Sequence, residues 1–265
     1  MLQTIAEGDE LAWPNHTAYN ASRQREVTMP GTPEVEPSYY ARGSPVVLVA
    51  SKISRRVRAR IYEAFMSMVG PAPDAKIIDV GVTADESYVE ANFFEAMYPY
   101  KAMITATGVE DASALEKKYP GLRFVRTDAG ALPFDDDEFD VAFSHAVIEH
   151  VGSADRQREF VAELLRVAKV LFLTTPDRWF PMEFHTYLPF IHWLPKPRHR
   201  WLLKRLGLTF LAQESNLNLL TKRELGSLFP ATVERQVTSF RLLGLSSNLV
   251  VVASRHGLRD IKRTR

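Results

Sequence analysis

The sequence predicts an α/β protein built on a doubly wound, seven-stranded, mostly parallel sheet. Three observations predict it. From Lys76 to Pro176, short apolar or β-branched runs alternate with stretches of helical spacing, the pattern of strands joined by crossover helices. The first three of those runs end on acids, at Asp79, Glu110 and Asp128, where a doubly wound sheet receives its ligand. The chain then closes on Thr232–Phe240 and Ser247–Ser254, which read as an antiparallel pair.

Composition narrows the function classes. With 265 residues, 46% of them apolar, the chain can bury a large core. Its 33 basic and 32 acidic residues leave a net charge of +1, which argues against a surface built for nucleic acid. There is no Cys, so disulfides, Cys-ligated zinc, iron–sulfur clusters and cysteine nucleophiles are excluded. The residues nominate no metal ligand. No apolar run approaches a membrane span, and Met1–Glu10 has neither the basic nor the apolar part of a signal peptide. The expected location is cytoplasmic.

In chain order, residues 1–44 are punctuated by Gly8, Pro14, Pro30, Gly31, Pro33, Pro37 and Gly43, and read as a disordered N-terminal tail. The domain is expected over 45–265. Ser51–Val69 has one apolar helical face, Ile53, Val57, Ile61, Phe65 and Met68. Arg55, Arg56, Arg58 and Arg60 lie off it as a solvated basic face. Pro71 and Pro73 end that helix before the first strand, Ile77–Val80. Gly81 lets the backbone turn sharply after it. Asp85 and Glu86 suit the positive end of a following helix, continued at helical spacing over Tyr88–Tyr98. Ala102–Val109, Leu122–Arg126, Phe139–Ser144 and Val170–Thr174 are the next strands. Ser113 and Glu116, like Thr221 and Glu224, are spaced as capping boxes. Ala154–Val167 is a helix with Phe160, Leu164 and Val167 on one face.

The stretch Thr127–Val151, TDAGALPFDDDEFDVAFSHAVIEHV, resembles the LPF…FDV…EHV pattern of the class I S-adenosylmethionine-dependent methyltransferases, in their broad small-molecule group. The resemblance runs from about Lys76 to Pro176. It implies the Rossmann-like methyltransferase fold and S-adenosylmethionine as cofactor. It also implies roles: Asp79 and Gly81 at the glycine-rich loop beside the methionine part, Glu110 on the ribose hydroxyls, Asp128 and the Ala129 backbone on adenine. Ser144 and His145 would stand beside the methionine group and the acceptor. The chain departs from the family where the loop glycines would recur, at Thr83 and Asp85. A second departure is the direct run of Arg166–Lys169 into the fifth strand, without the usual turn.

Residues 175–220 form an aromatic, His- and Pro-rich stretch after the fifth strand, where the family places acceptor-binding insertions. Trp179, Phe180, Phe184, Tyr187, Phe190 and Trp193 could line an apolar pocket, with Glu183 and His185 as its polar groups. Residues 197–208 alternate basic and apolar side chains, a helix suited to an anionic membrane surface. The expected function is methyl transfer from S-adenosylmethionine to a small or lipid-linked acceptor, at oxygen. A neutral His would take the hydroxyl proton, His185 first and His145 second. Two rivals stand beside it. The Thr83 and Asp85 departures suit a non-catalytic, methyltransferase-like binding or scaffold protein. An acid after the second strand also suits a nicotinamide-dependent dehydrogenase, though GxGxxG is missing.

Overall fold

The computed structural model describes residues 45–84, 91–242 and 244–258, with side chains from Ser54 onward. The expected tail 1–44 and the expected helix start at Asp85 and Glu86 lie outside these residues.

Seven strands form one sheet: β1 (Ile77–Val80), β2 (Ile104–Gly108), β3 (Arg123–Arg126), β4 (Phe139–His145), β5 (Ala168–Pro176), β6 (Glu234–Leu242) and β7 (Leu245–Ser254). Their order is β3-β2-β1-β4-β5-β7-β6. β1 to β5 pair in parallel, and β7 is antiparallel to both β5 and β6, as the sequence predicts. The helices are α1 (Pro45–Met68), α2 (Phe93–Met97), α3 (Ala114–Lys118), α4 (Ala154–Val167), α5 (Lys196–Arg205) and α6 (Lys222–Gly226).

β1 shows why the sheet is covered on both sides. All four of its residues are buried, and successive side chains point to opposite faces. Ile77 packs with Ile61 and Phe65 of α1 and with Phe94 of α2. Ile78 and Val80 pack with Phe160, Val161 and Leu164 of α4 and Leu225 of α6. Asp79, two residues from Ile77, therefore faces the α1–α2 layer. Strand order reverses between β1 and β4, so their carboxyl ends flank the crevice where such sheets bind ligands.

α4 has the expected bounds, is N-capped by Ser153, and passes directly into β5 at Ala168. Of the expected helix Tyr88–Tyr98, the described part is α2 at Phe93–Met97, which starts directly after Asn92 with its left-handed φ of 53°. The Thr221–Glu224 capping box forms with both reciprocal bonds. The Ser113–Glu116 box does not. There Asp111 Oδ1 accepts from the Ser113 N–H at 3.0 Å, and Glu116 is drawn away to the Phe124 N–H of β3 at 2.9 Å. No helix among the described residues is long and apolar enough to cross a membrane.

Candidate active site

The turn after β1 is held by its own chain. The N–H groups of Gly81 and Val82 both donate to the Thr107 carbonyl of β2, at 2.8 and 3.0 Å. Gly81 has φ +109°, and a Cβ there would lie 2.1 Å from Val147 Cγ2; only Gly permits both the conformation and the approach. Asn92 closes the loop at Thr83. Its Oδ1 accepts from the Thr83 N–H at 3.0 Å, and its Nδ2 donates to the Thr83 carbonyl at 2.8 Å. A side-chain amide thus braces the position where the family pattern has glycine. Nothing in the local motif pointed to Asn92. Gly108, also missed, ends β2 with room for a Cβ blocked by the Val82 carbonyl at 2.6 Å.

The acids at the strand ends fall into two kinds. Asp79 is buried, and so is Glu95 of α2, whose carboxyl neighbours it. Burial, and then the Glu95 charge, push Asp79 well above the usual carboxylate range; burial raises Glu95 too. Two buried neighbouring carboxyls resist full ionisation. Glu110 and Asp128 are instead exposed. β2 and β3 last pair at Gly108 and Arg126, and each acid lies two residues beyond that pair. Glu110 makes no hydrogen bond among the described residues. Asp128 Oδ1 accepts from the Gly130 N–H at 2.9 Å, which shapes the loop around the half-buried Ala129.

At the end of β4 the polar groups are engaged inside the protein. The Ser144 hydroxyl donates to the Val80 carbonyl at 3.1 Å, tying β4 to β1. His145 Nδ1 bonds Thr174 Oγ1 of β5 at 2.6 Å, and its ring meets Phe93 edge-on at 5.1 Å. Burial first, and the Arg58 charge second, lower its pKa to about 3. Arg58 is therefore not part of the expected solvated face. It is half-buried, with its guanidinium 5.9 Å from the Phe93 ring centre.

Beyond β4, Glu149 and His150 lie on a 3₁₀ turn, Ile148–His150. Glu149 is fully buried, and Thr175 Oγ1 of β5 donates to its Oε2 at 2.8 Å. Gln157 and Asn218 brace this turn. The Gln157 amide donates to the Ile148 carbonyl, and the Asn218 amide to the Gly152 carbonyl. His185 comes to the same place from the stretch after β5, with its ring 4.7 Å from that of His150. Its Nδ1 bonds Glu183 Oε1 at 2.5 Å. Glu183 also accepts from the N–H groups of His185 and Thr186, at 2.8 and 2.6 Å. Burial alone would raise the Glu183 pKa, but the His185 bond and charge and these N–H groups bring it to about 2. For His185, the Glu183 contacts outweigh burial and raise its pKa.

The aromatics of 175–220 pair among themselves. Phe180 stacks on Phe184 at 5.8 Å, and Trp193 meets Phe190 at 4.8 Å and Trp179 at 6.3 Å. Trp179, Phe184, Phe190 and Trp193 keep exposed surface.

Residues 90–170 match the family model of a methyltransferase domain. No curated protein matches its sequence. Among solved structures, the PH0226 protein of Pyrococcus horikoshii is 16% identical, covering 83% of this chain and 96% of its own at a TM-score of 0.50. A putative zinc-dependent alcohol dehydrogenase of Rhodobacter sphaeroides is 9% identical, over 75% and 90%, with a TM-score of 0.52. A SAM-dependent methyltransferase of Methanosarcina mazei is 18% identical, over 70% and 94%, at 0.43. At these identities the likeness speaks to the fold alone. Glu110 and Asp128 present carboxylates to solvent, whereas Asp79 lies buried beside Glu95 and the Ser144 hydroxyl is held by the Val80 carbonyl.

Proposed function

We propose that the protein is a class I methyltransferase that moves a methyl group from S-adenosylmethionine to an oxygen of a small or lipid-linked acceptor. The observation that carries this reading is the division of one sheet edge. Two water-facing carboxylates stand beyond β2 and β3, and an oriented Glu183–His185 pair stands beyond β5 beside the Glu149–His150 turn.

S-adenosylmethionine supplies a methyl already activated on a sulfonium, so transfer needs no acid. Glu110 would accept from the ribose hydroxyls, each bond charge-assisted. Asp128 would offer its second oxygen to the adenine amine, with the Ala129 backbone alongside. Gly81 keeps the turn close to the strand ends, and Asp79, kept near neutral by Glu95, shapes that turn without adding charge. A hydroxyl acceptor must also lose its proton, and His185 is better placed for that than His145. With a pKa of about 3, His145 is a weak base at neutral pH. His185 has its Nδ1 fixed on Glu183, which directs Nε2 to the proton. The exposed aromatic edges after β5 suit an apolar acceptor. On α5, Trp201 is 58% exposed, with Arg205 5.2 Å from its ring centre, which supports contact of 197–208 with an anionic lipid surface.

Incubation with methyl-labelled S-adenosylmethionine and extracts of hydroxylated metabolites and lipids tests this. The label should appear in an ether or ester methyl. Label found only on nitrogen or carbon would overturn the oxygen assignment.

A further inference from the structure

One ligand atom each from Glu149, His150 and His185 lies within 4.8 Å of the other two. Two carboxyl-to-imidazole neighbours at that spacing could be a hydrogen-bonded cluster or the wall of an ion site. Three features decide between them.

The first is Glu149. Its residue is fully buried, and although Oε2 receives the Thr175 hydroxyl, Oε1 has no hydrogen-bond partner among the described residues. A buried carboxylate oxygen left unsatisfied calls for a ligand of its own. The second is the tautomer of His150. Its Nδ1 lies 2.7 Å from the Asn216 carbonyl, which can only accept, so Nδ1 carries the proton and the neutral ring has its lone pair on Nε2. The third is the second bond of His185. Its Nδ1 donates to Glu183 Oε1, the carboxylate–imidazole arrangement that orients metal-ligating histidines and makes the other nitrogen more basic.

We propose that Glu149, His150 and His185 bind a divalent transition-metal cation through Glu149 Oε1 and the two histidine Nε2 atoms. Two imidazoles and one carboxylate suit zinc, cobalt, nickel or manganese better than magnesium or calcium, which prefer oxygen. Ligands on a cation bound at about 2.0–2.2 Å lie about 3 Å apart, so the three groups would draw together when the cation binds. Three protein ligands leave coordination positions open, as in catalytic rather than structural sites.

The cation's role, though not its binding, rests on the methyl-transfer reading. An acceptor hydroxyl would coordinate at an open position, lose its proton to solvent water, and present a metal-bound alkoxide oxygen to the methyl. With the cation bound, His185 would serve as a ligand, and the proton-taking role given to its Nε2 in the metal-free protein would pass to solvent water.

The test uses the tag-free, chelator-treated full chain, with no S-adenosylmethionine and no acceptor. Cobalt(II) is titrated while its visible d–d absorption and the bound stoichiometry are read, and zinc is then added to displace it. One equivalent is expected. His150→Asn, a change at an exposed position that leaves the core intact, should weaken binding at least tenfold. Glu183→Gln should weaken it about 10–100-fold through the lost orientation of His185. Absence of saturable cobalt binding in the wild type, or wild-type affinity in His150→Asn, would overturn the site. Because no cofactor is present, either outcome leaves the methyl-transfer reading to its own test.

Discussion

Buried acids on the two sides of the crevice are shifted in opposite directions by their partners. The Asp79–Glu95 pair sits behind the turn after β1, and Glu183 sits behind His185 after β5. All three are buried, so desolvation pushes every one of them toward the neutral form. On the β1 side the neighbour is another carboxyl, which adds to burial in pushing Asp79 toward the neutral form. On the β5 side the partners are an imidazole and two backbone N–H groups, and the carboxylate stays charged. Burial sets the cost of the charge, and the partner decides whether it is kept.

The largest effect expected from this contrast is on turnover. His185→Gln should cost about 10²–10⁴ in rate while S-adenosylmethionine affinity stays near wild type, read by methyl-transfer kinetics beside calorimetry. A stable variant with full turnover would remove His185 from the chemistry. Next in size is Glu183→Gln. It replaces a charged acceptor of three N–H bonds and should lower stability by about 1.5–3 kcal/mol, measured by urea unfolding at neutral pH. Its pH dependence sharpens the contrast. The folded pKa of Glu183 is depressed from 4.5 to about 2, so its contribution is full above 4.5 and is lost as pH falls toward 2. The wild type should therefore lose more stability across that window than the variant does.

The opposite sign is expected across the crevice. Asp79 and Glu95 have folded values raised above 3.8 and 4.5. Their contribution is full below those values and is lost as pH rises through the raised ones. Glu95→Gln removes one of two neighbouring buried acids. It should raise stability at neutral pH, by about 1 kcal/mol or less, and the gain should shrink in acid. Melting curves taken from acid to neutral pH check this; a gain that grows in acid would contradict the raised values.

The parts legible in the sequence were those set by local pattern. Ala154–Val167 shows its helix by the spacing of Phe160, Leu164 and Val167. The closing antiparallel pair and the acids after the second and third strands were legible for the same reason. What was hidden depends on residues distant in sequence. Asn92 substitutes for loop glycine by a pair of bonds to Thr83 that no spacing rule contains. Glu95 looks like an ordinary helix acid until the twofold alternation of β1 turns Asp79 toward it. The Glu149–His150–His185 grouping requires two loops to meet beyond β4 and β5, and Asn216 fixes the His150 ring from a third. Arg58 reads as one of four arginines on a solvated face, and only packing against Phe93 singles it out.

The central claim is that the crevice between β1 and β4 receives S-adenosylmethionine, with Glu110 on its ribose. Calorimetric titration of the wild type and of Glu110→Ala with S-adenosylmethionine tests it most directly. One-to-one binding is predicted for the wild type, weakened in the variant by about 1.5–3 kcal/mol for each ribose bond lost. No binding by the wild type would favour the scaffold reading, and equal binding by a folded Glu110→Ala protein would contradict the ribose assignment.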